Sequence, residues 1–420
     1  MTTNAYKNLD QCVHCGFCLQ SCPTYRETQI EGDSPRGRIL LMRNVARGTL
    51  DITDPDLASH LDRCLGCRGC EPVCPSGVEY ARALVATRAL LADVRPIPLA
   101  ARILNATMAE PLLRKPALFG ARLIRPFASL LAGKSQPGYL FGMLSSTRPW
   151  LLDGAEGIGP GLDIHSATEP AHDQQTPVVL FEGCVMSGLF SHVHAATLRT
   201  LSVNGYVFSA APAQACCGAL HEHAGQKEQA IALARKNVAA FAEHPDSIIA
   251  VNSAGCGAML KDYGKLLEGD PLEQEAIAMA ARVRDVSELL AERGPRTGKS
   301  MRMRVAYDPP CHLLHAQGIA DAPLALLDAV PGLEHVEHAD AEMCCGSAGS
   351  FSFTQSKLSR EVLARKVDSI LAAEPDIVAT GNPGCIMQIG AGLAAAGSKL
   401  SVVHPIEILD RSYARAGYYD

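Results

Sequence analysis

Cys12, Cys15, Cys18 and Cys22, followed by Pro23, recur as Cys64, Cys67, Cys70 and Cys74, followed by Pro75. Each run sets three thiolates at intervals of three residues and adds a fourth that can reach across. This is the ligand layout of a two-cluster [4Fe–4S] protein. The interval lets one short loop wrap three corners of an iron–sulfur cube with its N–H groups turned toward the sulfurs. The fourth Cys of such a run ligates the other cluster. Cys12, Cys15, Cys18 and Cys74 are thereby assigned to one cubane, and Cys64, Cys67, Cys70 and Cys22 to the other. Pro23 and Pro75 fix φ and stop the loop from running on. Structural zinc is the alternative, but zinc sites favour two Cys-x-x-Cys pairs, and a doubled four-Cys run ending in Pro suits them poorly. The chemistry expected of the chain is single-electron transfer.

The other eight cysteines form a second pattern. Cys184, Cys216, Cys217 and Cys256 are matched by Cys311, Cys344, Cys345 and Cys385 at offsets of 127, 128, 128 and 129 residues. So steady an offset marks an internal duplication. Apolar runs (Val178–Phe181, Ile248–Val251, Val305–Tyr307, Ile377–Ala379) precede the cysteines and read as buried parallel strands. Helical stretches at Gln226–Phe241 and Ser356–Ala372 alternate with them. Each repeat is expected to be a small α/β unit with its cysteines at the carboxyl ends of strands, where such sheets carry their sites. These eight residues are expected to ligate metal, either one cluster per repeat or one shared; buried structural thiols are the alternative.

The elements that position the first eight cysteines are helical. Between Cys22 and Cys64 lie 41 residues, too many for a tight hairpin. Ile39, Leu40, Met42 and Val45 recur near the 3.6 period between Pro35 and a stop at Gly48. A second helix is expected from an N-cap at Asp54 toward His60 and Arg63. The chain has 420 residues, 47% hydrophobic and 20% charged, enough for several cores. Four parts are expected: residues 1–95, 96–175, 176–295 and 296–420. The class is α+β multidomain, an N-terminal helical cluster-binding domain followed by a duplicated small α/β domain. A net charge of −6 with 5% aromatics argues against nucleic-acid binding.

Cys12-Val13-His14-Cys15-Gly16-Phe17-Cys18, Cys22-Pro23-Thr24-Tyr25, Pro35-Arg36-Gly37-Arg38-Ile39 and His60-Leu61-Asp62-Arg63-Cys64 carry a resemblance. So do Glu182-Gly183-Cys184, Ser253-Ala254-Gly255-Cys256-Gly257-Ala258 and Cys344-Cys345-Gly346-Ser347-Ala348-Gly349. Along nearly its whole length the chain resembles the iron–sulfur subunits of bacterial glycolate oxidase (glycolate dehydrogenase). Its N-terminal part resembles the helical ferredoxin domain of quinone-linked dehydrogenases. Its repeats resemble the cysteine-rich CCG domains of heterodisulfide reductase and of the third subunit of anaerobic glycerol-3-phosphate dehydrogenase. The resemblance implies electron transfer from a partner FAD-containing hydroxyacid dehydrogenase toward quinone. A D-lactate or glycerol 3-phosphate dehydrogenase complex, or a catalytic CCG protein that cleaves a disulfide, is the alternative. The fuller CCG pattern ends in Cys-x-x-Cys; here Ser253 and Asn382 stand at the earlier position. Each repeat thus offers four thiolates, which favours a conventional cluster over a disulfide-cleaving one. A third reading makes the clusters structural staples.

Other features are less specific. His192, His194, His221, His223, His312 and His315 pair up along the chain; a structural role is the default, with His221 and His312 nearest the cysteines. Arg36 and Arg38 read equally as partner anchors or helix caps. The stretch from Pro96 to Arg148 holds seven basic residues and one acid, Glu110, among Leu, Ile and Phe. It reads as a linker packed on the first domain, or as a face for anionic lipid or an acidic partner. Residues 154–175 read as an exposed loop. Gly157-x-Gly159-x-Gly161 follows no strand and lacks the dinucleotide fingerprint, and no P-loop is present. No flavin or nicotinamide site is expected, so a flavin on another subunit must split the electron pair. No apolar leader and no run of about eighteen apolar residues is seen. The expected place is the cytoplasm, or the inner face of the cytoplasmic membrane as a peripheral protein.

Overall fold

The computed structural model describes residues 4–150 and 175–419. The glycine-rich stretch 157–161 and almost all of the proposed loop 154–175 lie outside them.

Alternate apolar runs and helices build two copies of one parallel sheet. In the first, β1 (Thr176–Phe181), β2 (Tyr206–Ser209), β3 (Ile248–Val251) and β4 (Val283–Asp285) lie in the order β2-β1-β3-β4. In the second, β5 (Met303–Tyr307), β6 (Leu333–His335), β7 (Ile377–Ala379) and β8 (Ser401–Val403) lie in the order β6-β5-β7-β8. All pairings are parallel, as right-handed helical crossovers require. Val178, Val179, Ile249, Ala250, Val305, Ala306 and Val378 are fully buried, because both faces of each sheet are covered. The chain reverses its winding direction between β1 and β3, and between β5 and β7. A crevice opens there at the carboxyl ends.

The duplication reaches the exits. The helix Val286–Arg293 begins with a capping box of Asp285 and Glu288, and its counterpart Pro405–Arg415 with one of His404 and Glu407. The two repeats are joined by Arg199 on Asp410 at 2.7 Å and by Asn204 on the Tyr413 hydroxyl at 3.1 Å.

The N-terminal domain is helical, as its periodicity predicts. The helix Pro35–Ala46 starts where the Ser34 hydroxyl accepts from Gly37 N–H. The helix Pro55–Asp62 starts where the Asp54 carboxylate accepts from Asp56 and Leu57. Met42, Val45, Leu57, Leu61, Ala83 and Leu84 form its core with the helix Tyr80–Val94. That helix lies against the first repeat so closely that a side chain at Gly225 would strike the Arg88 carbonyl.

The stretch after residue 96 forms three helices: Leu99–Ala109, Pro111–Leu131 and Gln136–Ser145. They pack chiefly on the repeats rather than on the first domain. Arg122 donates to the Ser187 carbonyl at 3.0 Å, Asn105 to that of Leu220 at 3.1 Å, and Tyr139 to that of Gln388 at 3.3 Å. Burial gives the reason: Met108, Leu118, Tyr139 and Met143 join the core of the repeats, while many other large apolar side chains of this stretch stay exposed.

Candidate metal centres

The two N-terminal Cys loops share one backbone shape. The third and fifth residues of each, His14 and Gly16 in the first and Gly66 and Arg68 in the second, have positive φ between 56° and 90°. Left-handed residues at alternate positions coil the loop and turn successive N–H groups to one side, a nest for negative charge. Holding His14 and Arg68 there costs about 1 kcal/mol each, a cost that a ligand on the inside of the loop offsets.

The first loop lies at the surface. Cys15 is exposed, Cys12, Cys18 and Cys74 are half-buried, and Val13 and Phe17 stand 71% and 67% exposed. Burial pushes the Cys18 thiol up to about 11, with Cys12 and Cys22 adding to the rise. The second motif lies inside. Cys22 and Cys64 are buried, and Cys67 and Cys70 each feel the charges of Cys22 and Cys64. These four sulfurs therefore come together. Burial drives Cys67 and Cys70 well up. Burial raises Cys64 too, but the charges of Arg38 and Arg88 and the Tyr80 hydroxyl, 3.3 Å from its sulfur, hold it below the usual thiol range.

Arg38 is the residue the sequence left open. It is 1% exposed and lies among Asp33 at 3.7 Å, Thr24 Oγ1 at 3.2 Å and the His60 carbonyl at 2.8 Å. Its Nη1 is 3.9 Å from the Cys22 sulfur. Arg36, by contrast, pairs with Glu31 at 2.7 Å and donates to the His14 carbonyl at 3.1 Å, which braces the first loop. An Arg38→Met variant loses about 1–3 kcal/mol of stability, because Thr24 Oγ1 and the His60 carbonyl lose their buried donor while Asp33 keeps His60 at 2.8 Å and Arg63 at 3.2 Å. It also lowers the potential of the second motif by tens of millivolts, since a cation beside the sulfurs favours the reduced state. Thermal unfolding and a potentiometric titration check the two effects.

The remaining eight cysteines stand where the crevices open, each beyond the carboxyl end of a strand. In the first repeat the Cys184 and Cys216 sulfurs are 3.5 Å apart, and those of Cys217 and Cys256 also 3.5 Å. In the second, Cys311 and Cys344 are 3.8 Å apart, and Cys345 and Cys385 3.4 Å. The same pairing in both repeats matches the sequence duplication. Sulfur–sulfur hydrogen bonding, then burial, pushes Cys184, Cys217, Cys344 and Cys385 well up, while the same sulfur–sulfur contacts hold Cys216, Cys311 and Cys345 well down. Four buried sulfurs so close cannot all ionise unless a cation lies among them. All sixteen cysteines are free of disulfides, and no three His, Cys, Asp or Glu side chains among the described residues converge on a single-ion position. Soft thiolate sets of this kind fit iron–sulfur clusters, whose ligands surround a core wider than one ion.

Backbone geometry explains the glycines that follow each Cys-Cys pair. Gly218 and Gly346 have φ of 89° and 84°. A Cβ at Gly346 would sit 2.6 Å from the Ser359 carbonyl. A Gly346→Ala variant is expected to lose about 2–3 kcal/mol, together with iron from the second repeat. Gly120→Ala, on a helix with open space around it, should raise stability by about 0.5–1 kcal/mol and leave the iron content unchanged.

The histidines divide. His194 accepts from Asn252 and reaches the Glu182 carbonyl at 2.8 Å, a structural role. His312 Nδ1 lies 3.5 Å from the Cys311 sulfur and its ring stacks on His223 at 5.5 Å. His221 is buried and feels the Cys216 charge. Lys366 was not foreseen. It is 1% exposed, pairs with the buried Asp308 and donates to the Asp340 carbonyl at 2.8 Å. It helps hold Cys345 down. In the first repeat Asn237 takes its place: Ala230 and Ser359 meet Gly218 and Gly346, and Asn237 and Lys366 follow them by the same interval.

The second N-terminal loop is wedged between the repeats. Arg68 pairs with Asp262 of the first at 2.9 Å. Cys67 and Leu65 pack with Cys311 and Cys344 of the second, and Cys67 feels the Cys311 charge. Where the repeats meet, the positions without a fifth cysteine face each other: the Ser253 hydroxyl is 3.5 Å from Asn382 Oδ1, and Asn382 Nδ2 is 3.5 Å from the Cys385 sulfur.

Comparison with known proteins agrees with this geometry. A 4Fe-4S dicluster domain family matches residues 8–78, and a cysteine-rich domain family, CCG, matches residues 178–261 and 305–390. A probable glycolate oxidase iron-sulfur subunit of Bacillus subtilis is 34% identical over 95% of this chain and 92% of its own length. The glycolate oxidase iron-sulfur subunit of Escherichia coli is 33% identical over 96% of this chain and 94% of its own. Lactate utilization protein A of Geobacillus kaustophilus is 32% identical over 56% of this chain and 98% of its own. With cluster-type loops in its first domain and CCG cysteines in both repeats, the chain is an iron–sulfur subunit of an oxidoreductase complex and belongs to the family of glycolate oxidase iron–sulfur subunits.

Proposed function

We propose that the chain passes electrons from a partner FAD-containing dehydrogenase, which oxidises glycolate to glyoxylate, toward a membrane quinone. Cys12, Cys15, Cys18 and Cys74 hold one [4Fe–4S] cluster, and Cys22, Cys64, Cys67 and Cys70 the other. The four cysteines of each CCG repeat hold further iron–sulfur centres. One-electron transfer is the chemistry such clusters supply; binding and oxidation of the hydroxy acid belong to the partner. The complex works on the cytoplasmic side, against the inner face of the membrane.

The packing of Cys67 beside Cys311 carries this reading. It makes the first domain and the second repeat neighbours through their sulfurs rather than through bland surface. The exposed first loop supports entry from the partner: Val13 and Phe17 flank Cys15 with apolar surface that a docking flavoprotein would cover. Leu65, Phe351 and Leu358 keep water from the junction, and Arg38 and Lys366 supply positive charge on either side of it.

Iron and acid-labile sulfide in anaerobically purified protein, with EPR during a dithionite titration, test the assignment. The reading expects about twelve to sixteen irons per chain and more reducible signals than two cubanes give. About eight irons would confine the electron path to the first domain and overturn the role given to the repeats.

A further inference from the structure

We propose that the helices Leu99–Ala109 and Pro111–Leu131 form an in-plane membrane anchor, seated by its apolar face in an anionic bilayer. This deepens the reading of a membrane-side acceptor and names the surface that would bring the chain there.

The exposed apolar surface is concentrated. Of the twenty-one large hydrophobic side chains that stand exposed among the described residues, ten lie on these two helices: Leu99, Ile103, Leu112, Leu113, Phe119, Leu123, Ile124, Phe127, Leu130 and Leu131. Leu112 is 88% and Leu130 81% exposed. On the longer helix they fall within roughly 140° of arc at 3.6 residues per turn. Leu118 and Ala128, its only buried residues, lie on the opposite side, Leu118 against Gly188 of the first repeat. The helix is therefore amphipathic toward solvent: its small buried stripe holds the protein, and its large apolar stripe holds nothing. At about 1.5 Å per residue it is long enough to lie as a rod of roughly 30 Å along a surface. No helix among the described residues is long and apolar enough to cross a membrane, so the face would lie in the interface rather than span it.

Charge selects the bilayer over other occupants. Seven bases, Arg102, Arg114, Lys115, Arg122, Arg125, Lys134 and Arg148, lie in this stretch with Glu110 as the one acid, in a chain of net charge −6. Among the described residues none of the seven pairs with a carboxylate; Arg114, Arg122, Arg125 and Arg148 donate to backbone carbonyls instead. Burial, then the neighbouring Arg122 and Arg148 charges, pushes the Arg125 guanidinium down, the mark of an uncompensated cluster. At 3.6 residues per turn Lys115 and Arg122 border the apolar stripe along one edge, while Arg114 and Arg125 lie on the protein-facing side; bases along such an edge match anionic headgroups above acyl chains. The apolar stripe itself offers no hydrogen-bonding side chain to a protein partner's surface. The face also runs on toward the redox centre. Leu99 lines a cavity of about 370 Å³ that has Cys64 and Leu65 in its wall and Phe351 opposite.

The test is co-sedimentation of the intact, cluster-loaded chain with vesicles of phosphatidylcholine alone and with about one-third phosphatidylglycerol. The anionic vesicles should carry the chain down, and added salt should weaken the binding. A Phe119→Glu/Leu123→Glu/Phe127→Glu variant should bind at least about tenfold less, with its iron content and visible absorption unchanged. Lys115→Gln should cost about fivefold on anionic vesicles and nothing on neutral ones. Wild-type chain that stays in the supernatant, or a triple-Glu variant that binds as well as wild type, overturns the proposal. So does a triple-Glu variant that binds vesicles normally but no longer co-elutes with the flavoprotein, which would assign the face to that partner. Reduction of a water-soluble quinone analogue by the whole complex needs no bilayer, and should survive in the triple-Glu variant. Its absence in the wild type would count against the acceptor, not against the anchor.

Discussion

In the assembled complex, Cys67→Ser is expected to abolish glycolate-to-quinone electron flow, by at least about a hundredfold, while glycolate still bleaches the partner's flavin at the wild-type rate. Cys67 stands where the first domain meets the second repeat, half-buried among Leu65, Cys311 and Cys344. A serine oxygen is a hard ligand that binds iron–sulfur clusters poorly. It would leave the buried Cys22, Cys64 and Cys70 set one donor short, at the point where burial already disfavours thiolates. In the proposed complex the partner binds and oxidises the hydroxy acid, so the reductive half-reaction is expected not to change. Stopped-flow flavin absorbance and steady-state quinone reduction separate the two halves. Quinone reduction at the wild-type rate would sink the electron-carrier role of the second motif. Slowed flavin bleaching would mean that the variant had disturbed the docking of the partner instead.

How much of this was readable beforehand follows from the range of each interaction. Cysteine offsets are local and periodic, so the duplication was visible, and it foretold two sheets with their cysteines beyond strand ends. Caps are local too: Asp54, read as an N-cap, is one, its carboxylate accepting from Asp56 and Leu57. Arg38 was ambiguous because its partners Asp33, Thr24 and His60 are set by tertiary packing, which leaves no spacing to read. Lys366 carries no sequence signal of its own, because its partners, the buried Asp308 and two carbonyls, are brought to it only by tertiary packing. The stretch from Pro96 to Arg148 was legible as amphipathic but not as to which stripe the protein covers. A hydrophobic period fixes the angle of a stripe and is silent about what lies opposite it. The structure turns the larger stripe outward.

The repeats pose the second large expectation. Cys345→Ala should remove about four irons per chain and leave the signals of the first domain intact. Cys345 is the hub of its set: 3.4 Å from Cys385, and held down by its hydrogen bonds with Cys344 and Cys385, then by the Ser347 N–H and Lys366. An alanine there removes a ligand without adding bulk, so the fold around the crevice should persist. Unchanged iron would show that the second repeat's thiols are structural. The matching Cys217→Ala variant then decides how many centres the repeats hold. Ser253 and Asn382 bring the two crevices together across the repeat interface, close enough for one shared centre to be a real alternative. With separate centres, each variant removes its own iron and the double variant removes both portions. With one shared centre, either single variant removes all of it and the double variant removes no more. The absent fifth cysteine favours the first outcome, because four sulfurs complete a conventional cluster within each repeat and leave no ligand to bridge the two.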